Sequence, residues 1–178
     1  MSEKKIIKNS KHGIVFWLTG YSGSGKTEIS KLLYKKIEKK FGKTVRLSGD
    51  DLRILLNLNG YTKKERKKIS LKYHDVCKRF SLKGVNVLID VVALFDSVRK
   101  KNRQYLSNYI EIYIKTDLKK VMSRKEKPFY RKNVKNVYSK DIKAELPKKP
   151  DIIQLNSFTK TTSFLSKEIF EKIIVKLS

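Results

Sequence analysis

The sequence predicts an α/β fold in which a parallel sheet of five strands carries helices on both faces. Two features of the chain indicate this fold. Short apolar runs, such as Ile14 to Leu18, alternate with longer segments whose apolar residues recur at helical spacing. That alternation is typical of strand–helix–strand units with parallel strands. In addition, a glycine-rich turn joins the first apolar run to the first helical segment, as phosphate-binding α/β folds require.

The predicted strands are apolar or β-branched, as expected for strands that are covered on both faces. They span Ile14 to Leu18, Thr44 to Leu47, Val85 to Asp90, Tyr109 to Ile114 and Ile152 to Leu155. In an open parallel sheet, ligands bind beyond the carboxyl ends of the strands. The turns that follow the first three strands should therefore face one crevice.

The predicted helices begin or end at capping residues. Gly42 stops the first helix, and Thr62 with Glu65 three residues later forms a capping box for the third. Asp96 and Ser97 are candidate caps for the fourth helix. The turn Ser48 to Asp51 opens the second helix, which should present its leucines on one face. The helices are expected to end near Phe41, Gly60, Leu82, Leu106, Met122 and Lys176.

The segment Gly20 to Thr27 fits the pattern G-x-x-x-x-G-K-S/T at each fixed position. Its glycines let backbone N–H groups turn towards an anion, and the following helix adds its positive end. In this pattern Lys26 reaches the β- and γ-phosphates of ATP, and Thr27 offers a hydroxyl to Mg²⁺. A glycine-rich turn that binds nothing is the weaker alternative, because the residue pattern and its position between a strand and a helix agree. We therefore predict a P-loop NTPase-like fold whose ATP contacts are Gly20, Tyr21, Ser22, Gly23, Ser24, Gly25, Lys26 and Thr27.

The composition limits the classes of partner. A chain of 178 residues is expected to form one domain, here residues 1–178. The formal net charge of +26 favours an anionic partner. Because the lysines are spread along the whole chain, we expect nucleic acid to bind only non-specifically. The single cysteine, Cys77, excludes a disulfide framework and a thiolate metal cluster.

The sequence favours a cytoplasmic protein with no membrane partner. Residues 1–11 form a basic arm, expected to be flexible, without the apolar core of a secretory signal. No run of about 18 apolar residues is present, so a transmembrane helix is not expected.

Two carboxylates are candidates for the chemistry of phosphoryl transfer. Asp50 follows the second strand and can orient an acceptor hydroxyl, accept its proton or hold Mg²⁺ through water. A helix N-cap is the alternative role for Asp50. Asp90 ends an apolar strand in the manner of a Walker B carboxylate, and a buried residue that caps the next loop is the equal alternative. Arg53 and Arg66 would supply cations to an anionic acceptor. Lys26 and Asp50 are thus the predicted catalytic residues.

Residues 124–150 are basic, low in apolar periodicity and interrupted by prolines at 128, 147 and 150. This pattern favours a mobile lid that orders over bound nucleotides.

These motifs together resemble the adenylylsulfate kinase family, from about Gly13 to Asn156. The likeness is carried by Trp17 to Thr27, Gly49 to Arg53, Gly60-Tyr61-Thr62 with Arg66, the pair Arg99 and Arg103, and Arg124, Lys127, Tyr130 and Lys132 in the lid. The family phosphorylates the ribose 3′-hydroxyl of adenosine 5′-phosphosulfate with ATP and Mg²⁺, usually as a homodimer. The products are 3′-phosphoadenylyl sulfate and ADP, and the reaction belongs to sulfate assimilation.

The resemblance also implies roles for single residues. Arg124 would contact ATP, and Asp50 would sit at the reacting hydroxyl. The acceptor nucleotide would be contacted by Asp50, Arg53, Tyr61, Arg66, Val92, Lys127 and Val137.

The chain departs from the family pattern mainly on the acceptor side. Ser48 replaces an aspartate, Ile69 an asparagine, Ala93 a serine and Val137 an aromatic residue. We expect adenosine 5′-phosphosulfate as acceptor. The alternative is another nucleotide such as cytidine diphosphoramidate, which relatives in this family phosphorylate at the same position.

Two other classes of protein compete with the kinase. A nucleic-acid-binding module is suggested by the net charge, but a clustered aromatic RNA motif is lacking. A pseudo-kinase is suggested by Ser48 and Ala93, whereas Lys26, Thr27 and Asp50 argue against it.

Overall fold

The predicted parallel sheet is present in the computed structural model, which describes residues 9, 11–124 and 142–178. Its strands run in the order β2-β3-β1-β4-β5, and each neighbouring pair is parallel. The strands are β1 (Val15–Thr19), β2 (Thr44–Ser48), β3 (Asn86–Val91), β4 (Tyr109–Lys115) and β5 (Ile152–Leu155). The α/β fold class is therefore confirmed.

The helices follow the predicted order. They are α1 (Lys26–Phe41), α2 (Gly49–Leu55), α3 (Lys63–Leu82), α4 (Asp96–Tyr105), α5 (Leu118–Ser123) and α6 (Thr162–Leu177). The capping box at Thr62 and Glu65 is confirmed, because both of its hydrogen bonds are present. Asp117 caps α5 as its type and position suggest, since its side chain accepts from the Lys119 backbone N–H.

Two local predictions were wrong. The N-cap of α4 is Phe95, which makes no side-chain capping bond, and Asp96 N–H instead donates to Glu145 Oε2 at 2.6 Å. A distant residue thus satisfies the helix end that Asp96 and Ser97 were expected to cap. In α2 only Leu52 is buried, whereas Leu55 is 77% exposed. The helix ends at Leu55, so a long apolar face cannot form.

Side chains alternate between the two faces of the sheet, and each face has its own apolar cluster. Phe16 and Leu18 pack with α1 and α6 on one face. Trp17 lies on the other face with α3 and α4 and is fully buried. Cys77 is buried on the same face, and burial raises the pKa of its thiol. Such a thiol is chemically inert.

Helix α4 is held to the sheet by a buried ion-pair network around Glu111 of β4. Arg99 pairs with Asp96, and its Nε lies 3.5 Å from Glu111 Oε1. Arg103 pairs with Glu111 at 2.8 Å and with Asp151 at 3.1 Å. The two arginines of the family pattern therefore have structural partners.

The structure describes a part of the predicted arm and a part of the predicted lid. Asn9 N–H donates to Asn108 Oδ1 at 3.1 Å, so the arm is tied to the domain at that residue. In the lid, Ile142 is buried and Glu145 N–H donates to Leu94 O at 3.1 Å. Residues 1–8, 10 and 125–141 lie outside the described residues, so the flexible arm, the mobile lid and the single-domain division stay predictions. Among the described residues, no helix combines the length and apolar character needed to cross a bilayer.

A buried polar chain links α3, α4 and β4. His74 Nδ1–H donates to Asn102 Oδ1 at 2.8 Å, because an amide oxygen can only accept. Asn102 Nδ2 then donates to the Tyr109 hydroxyl at 3.3 Å. Burial lowers the pKa of His74, so the folded protein holds this imidazole in its neutral form.

This arrangement predicts a pH dependence of stability. Below about pH 6.5 the unfolded chain protonates His74, whereas the folded state resists the proton until a lower pH. The free energy of unfolding should therefore fall as the pH drops below that value. Urea unfolding between pH 5.5 and 7.5 should show a smaller fall for His74→Gln than for the natural chain. His12→Gln is the control, and parallel curves for natural and His74→Gln protein would contradict the prediction.

Candidate active site

A cavity of about 320 Å³ lies at the carboxyl edge of β1, β2 and β3, as the rule for parallel sheets predicts. It brings together residues that are far apart in the sequence. Its lining consists of Ser22, Gly23, Gly25, Lys26, Thr27, Glu28, Gly49, Asp50, Asp90, Val91 and Val92. Most of the phosphate loop, one predicted catalytic carboxylate and one predicted acceptor residue thus share a single crevice.

The shape of the phosphate loop depends on its glycines, two of which have a clear steric reason. Gly25 has φ 84°, a left-handed conformation that side chains disfavour. At Gly20, a Cβ would lie 2.6 Å from the backbone oxygen of Ile114. Tyr21 and Ser24 are buried in the wall of the loop rather than in the cavity lining. The loop can therefore turn its backbone towards the cavity only with glycine at these two positions.

Lys26 begins α1 and is 6% exposed. Its ammonium donates to Tyr21 O at 2.6 Å and to Ser24 Oγ at 3.4 Å. An ammonium has three donors and no acceptor, and here it is held directly over the loop. This is the position from which the pattern predicts contact with the β- and γ-phosphates.

Asp90 lies beneath the loop and is 4% exposed. Thr27 Oγ1 donates to its Oδ1 at 2.8 Å, and Ser30 Oγ donates to its Oδ2 at 2.6 Å. Arg46 Nη1 also donates to Oδ2, at 3.2 Å. The carboxylate therefore faces the phosphate loop, as the Walker B interpretation requires, rather than serving as a cap for the loop after β3.

Opposing forces act on the charge of Asp90. Burial raises its pKa, whereas the hydrogen bonds from Ser30 and Thr27 and the charges of Lys26 and Arg46 act in the other direction. Thr27 uses its only hydroxyl proton on Asp90, so the oxygen lone pairs are left for a cation. Mg²⁺ prefers such oxygen ligands and takes most of its shell from water and phosphates. This donor set fits Mg²⁺.

A histidine, cysteine or carboxylate cluster offers no alternative metal centre within the described residues.

The turn after β2 presents Asp50 to the cavity. Ser48 is the N-cap of α2, because its Oγ accepts from Asp51 N–H at 3.1 Å. The alternative role of Asp50 as the N-cap is therefore wrong. The Tyr73 hydroxyl donates to Gly49 O at 3.0 Å and fixes this turn from α3. Local sequence could not indicate Tyr73, since only tertiary packing brings it to Gly49.

Three predicted acceptor residues form a cluster near the end of α2. The guanidinium carbons of Arg53 and Arg66 lie 5.0 and 5.3 Å from the centre of the Tyr61 ring. Arg53 Nη1 donates to Leu58 O and Gly60 O at 3.0 and 3.1 Å. Tyr61 is 59% exposed. The structure thus brings these three residues together, although they do not line the cavity itself.

The remaining predicted acceptor residues are Val92, Lys127 and Val137. Val92 lines the cavity. Ile69 and Ala93 are buried in the apolar cluster, so two positions that carry polar side chains in the family pattern are apolar here. Lys127 and Val137 lie outside the described residues.

Sequence analysis also missed the loop after β5. Asn156 Nδ2 donates to Ser24 O at 3.1 Å, and its Oδ1 accepts from Phe158 N–H at 2.9 Å. The guanidinium of Arg124 lies 4.2 Å from the centre of the Phe158 ring. The loop after β5 therefore supports the phosphate loop and orients Arg124. The sequence feature that could have indicated this contact was an asparagine directly after a predicted strand.

The chain is similar in sequence to known proteins along most of its length. It matches the profile of the family described as adenylylsulphate kinase over residues 12–154. Cytidine diphosphoramidate kinase of Campylobacter jejuni is 33% identical over 176 residues, which cover 97% of this chain and 99% of the relative. Adenylyl-sulfate kinase of Clostridium kluyveri is 33% identical over 159 residues, which cover 86% and 78%.

A solved structure shares the same fold. The APS kinase of Mycobacterium tuberculosis, solved in complex with AMPPNP and APS, superposes with a TM-score of 0.81. Its sequence identity is 23%, and the match covers 92% of this chain and 98% of that chain.

The contact of Asn156 with the phosphate loop predicts that Asn156→Ala weakens nucleotide binding. Loss of one hydrogen bond that shapes the loop should lower ADP affinity by about fivefold, since such a bond contributes roughly 1 kcal/mol. Calorimetric titration with ADP and Mg²⁺ measures the change. Gln104→Ala removes an exposed amide on α4 and is the control. An unchanged affinity in a folded Asn156→Ala protein would show that the contact does not shape the loop.

Proposed function

The chain belongs to the adenylylsulphate kinase family, and from this premise we propose that it phosphorylates the ribose 3′-hydroxyl of a nucleotide. Its family makes it an ATP-dependent phosphotransferase. The observation that carries the proposal is the cavity in which Lys26, Thr27 and Asp90 face Asp50. A phosphate-binding loop and a carboxylate for the acceptor hydroxyl are the parts that such a transfer needs.

On the ATP side, the backbone of the phosphate loop would bind the phosphates, and Lys26 would reach the β- and γ-phosphates. The lysine charge contributes most when negative charge moves to the leaving phosphate. Arg124, which lies against Phe158, would add a further contact to ATP.

Thr27 would hold Mg²⁺ directly, with Asp90 acting through water. When bound, Mg²⁺ would neutralise the negative charge that develops on the phosphate oxygens. Thr27 suits this role because its proton is already donated to Asp90.

In the proposed step, the acceptor 3′-oxygen forms a bond to the γ-phosphorus as the bond from that phosphorus to the ADP oxygen breaks. The carboxylate of Asp50 orients the hydroxyl and accepts its proton. ADP leaves with the electron pair of the broken bond. The phosphate loop holds the leaving group in line, so positioning supplies much of the catalysis.

On the acceptor side, Arg53 and Arg66 would bind the anionic group at the 5′ end of the nucleotide. The exposed ring of Tyr61 would offer a flat apolar face to the base. The two guanidiniums lie 5.0 and 5.3 Å from the centre of this ring, so the cations and the aromatic ring form one cluster.

The sequence alone favoured adenosine 5′-phosphosulfate, whereas two observations now favour cytidine diphosphoramidate as the acceptor. The relative that acts on the cytidine compound matches along 97% of this chain. In addition, Ile69 and Ala93 are buried and apolar, so polar contacts of the adenylylsulfate kinase pattern are lost. A site that keeps its hydrogen-bonding groups discriminates strongly between acceptors, whereas an apolar wall discriminates only weakly between them. Adenosine 5′-phosphosulfate is the second candidate, supported by the family match.

One prediction of the proposed function concerns this choice of acceptor. We expect kcat/KM for cytidine diphosphoramidate to exceed that for adenosine 5′-phosphosulfate by about tenfold or more, the range that pocket shape can supply. Both acceptors are measured side by side, and phosphorus NMR identifies the phosphorylated hydroxyl. A tenfold preference for adenosine 5′-phosphosulfate would reverse the assignment.

A matched pair of variants tests the physical reason. Ile69→Asn with Ala93→Ser restores the two polar side chains and should move the preference towards adenosine 5′-phosphosulfate. Ile54→Asn, at a residue that is 80% exposed, adds an asparagine elsewhere and should leave the preference unchanged. Turnover with simple alcohols but no nucleotide would refute the whole acceptor assignment.

Another prediction of the proposed function concerns Asp50. Asp50→Asn keeps the shape of the side chain but cannot accept a proton, so kcat should fall by about 10² or more. ATP affinity, measured by calorimetry, should change little. Asp51→Asn is the control, because Asp51 is the neighbouring exposed carboxylate of the same helical turn. A collapse of Mg²⁺-dependent ATP affinity would instead assign Asp50 to the metal, and unchanged turnover would remove it from the mechanism.

A further inference from the structure

Arg46 reaches from β2 to the underside of the phosphate loop. Its Nη1 lies 3.2 Å from Asp90 Oδ2 and 3.3 Å from Ser30 Oγ. The Arg46 side chain is 24% exposed, and that of Asp90 is 3% exposed. This ion pair is not part of the phosphate-loop pattern or of the acceptor cluster, so its role needs a separate explanation.

The contacts of Asp90 show what Arg46 restrains. Ser30 and Arg46 both bind Oδ2, while Oδ1 is left for Thr27 Oγ1 at 2.8 Å. With both oxygens bound, the carboxylate cannot rotate without breaking a hydrogen bond. A charge-assisted bond from guanidinium is the stronger kind of restraint. The direction of Oδ1 therefore depends on the partners of Oδ2.

The direction of Oδ1 in turn sets the Thr27 hydroxyl. A hydroxyl has one proton and two lone pairs, so donation to Oδ1 decides where its lone pairs point. Thr27 also lines the cavity. The orientation of the Thr27 oxygen towards a cation in that cavity is thus coupled, through Asp90, to Arg46 on the neighbouring strand.

We propose that Arg46 is a positioning residue for the magnesium–nucleotide complex: with Ser30 it fixes Asp90, and through Asp90 it orients the Thr27 hydroxyl. The inference rests on the proposed function, because it assigns a task to the same phosphate site. A positioning role for Arg46 differs from that of a merely structural ion pair in one measurable respect. A structural pair would affect stability alone, whereas a positioning residue affects the part of nucleotide affinity that needs Mg²⁺.

The test compares ADP affinity by calorimetry in the presence of Mg²⁺ and in the presence of EDTA. Arg46→Gln should weaken ADP binding about tenfold with Mg²⁺, the scale of one hydrogen bond to a charged group. In EDTA its affinity should equal that of the natural chain. The Mg²⁺ concentration that gives half-maximal ADP binding should rise in parallel.

Further variants separate this role from loss of charge or of folding. Arg46→Lys keeps the charge and should recover part of the Mg²⁺-dependent affinity. Ser30→Ala removes the other partner of Oδ2 and should show the same kind of defect. The double variant Ser30→Ala with Arg46→Gln should lose less than the product of the two single losses, because both act through one oxygen. Arg79→Gln, at an exposed residue of α3, is the charge control and should behave like the natural chain.

Thermal unfolding of the protein without nucleotide is measured for each variant. A lower melting temperature with unchanged Mg²⁺ dependence would overturn the inference, since Arg46 would then act on stability alone. If Arg46→Gln does not fold, Ser30→Ala and Arg46→Lys decide the question, and unchanged Mg²⁺ dependence in both would overturn it as well. If the natural chain binds ADP and all variants bind it with the same affinity and Mg²⁺ dependence, this inference is refuted but the proposed function is not. A natural chain that binds no nucleotide refutes the proposed function too.

Discussion

A carboxylate buried beneath a phosphate-binding loop must be paired, and the pairing of Asp90 organises the active site. Removal of Asp90 from water raises its pKa, so the folded state needs donors around both oxygens. Those donors come from α1 and β2, and they are Thr27, Ser30 and Arg46. Because these donors belong to α1 and β2, whereas Asp90 lies in β3, one satisfied charge holds three elements together beneath the phosphate loop.

The same constraint recurs on the opposite face of the sheet. Burial raises the pKa of Glu111, and the charges of Arg103 and Arg99 oppose that effect. These arginines fix α4, which follows the segment that contributes Val92 to the cavity. The proposed acceptor side therefore has a rigid support, while Arg53, Arg66 and the exposed ring of Tyr61 lie near the end of α2. A rigid support with few polar groups suits a site whose specificity depends on shape and charge.

Local patterns predicted a large part of this protein. The phosphate loop could be recognised because its conformation is set by consecutive residues, including the left-handed Gly25. The capping box at Thr62 was predictable for the same reason, since its partners are three residues apart. The order of strands and helices followed from apolar runs and helical spacing. The role of Asp50 stays a prediction, although its presence in the cavity agrees with it.

The remaining contacts could not be read from local sequence because their partners are distant. Arg46 meets Asp90 across 44 positions, and Asn156 meets Ser24 across 132. Glu145 similarly replaces the local cap that α4 lacks. The sequence by itself determined the fold class, the phosphate loop and the kinase family. Only the tertiary structure decided which side chains support that loop, because the order of the strands in the sheet, rather than spacing along the chain, brings those residues within hydrogen-bonding distance.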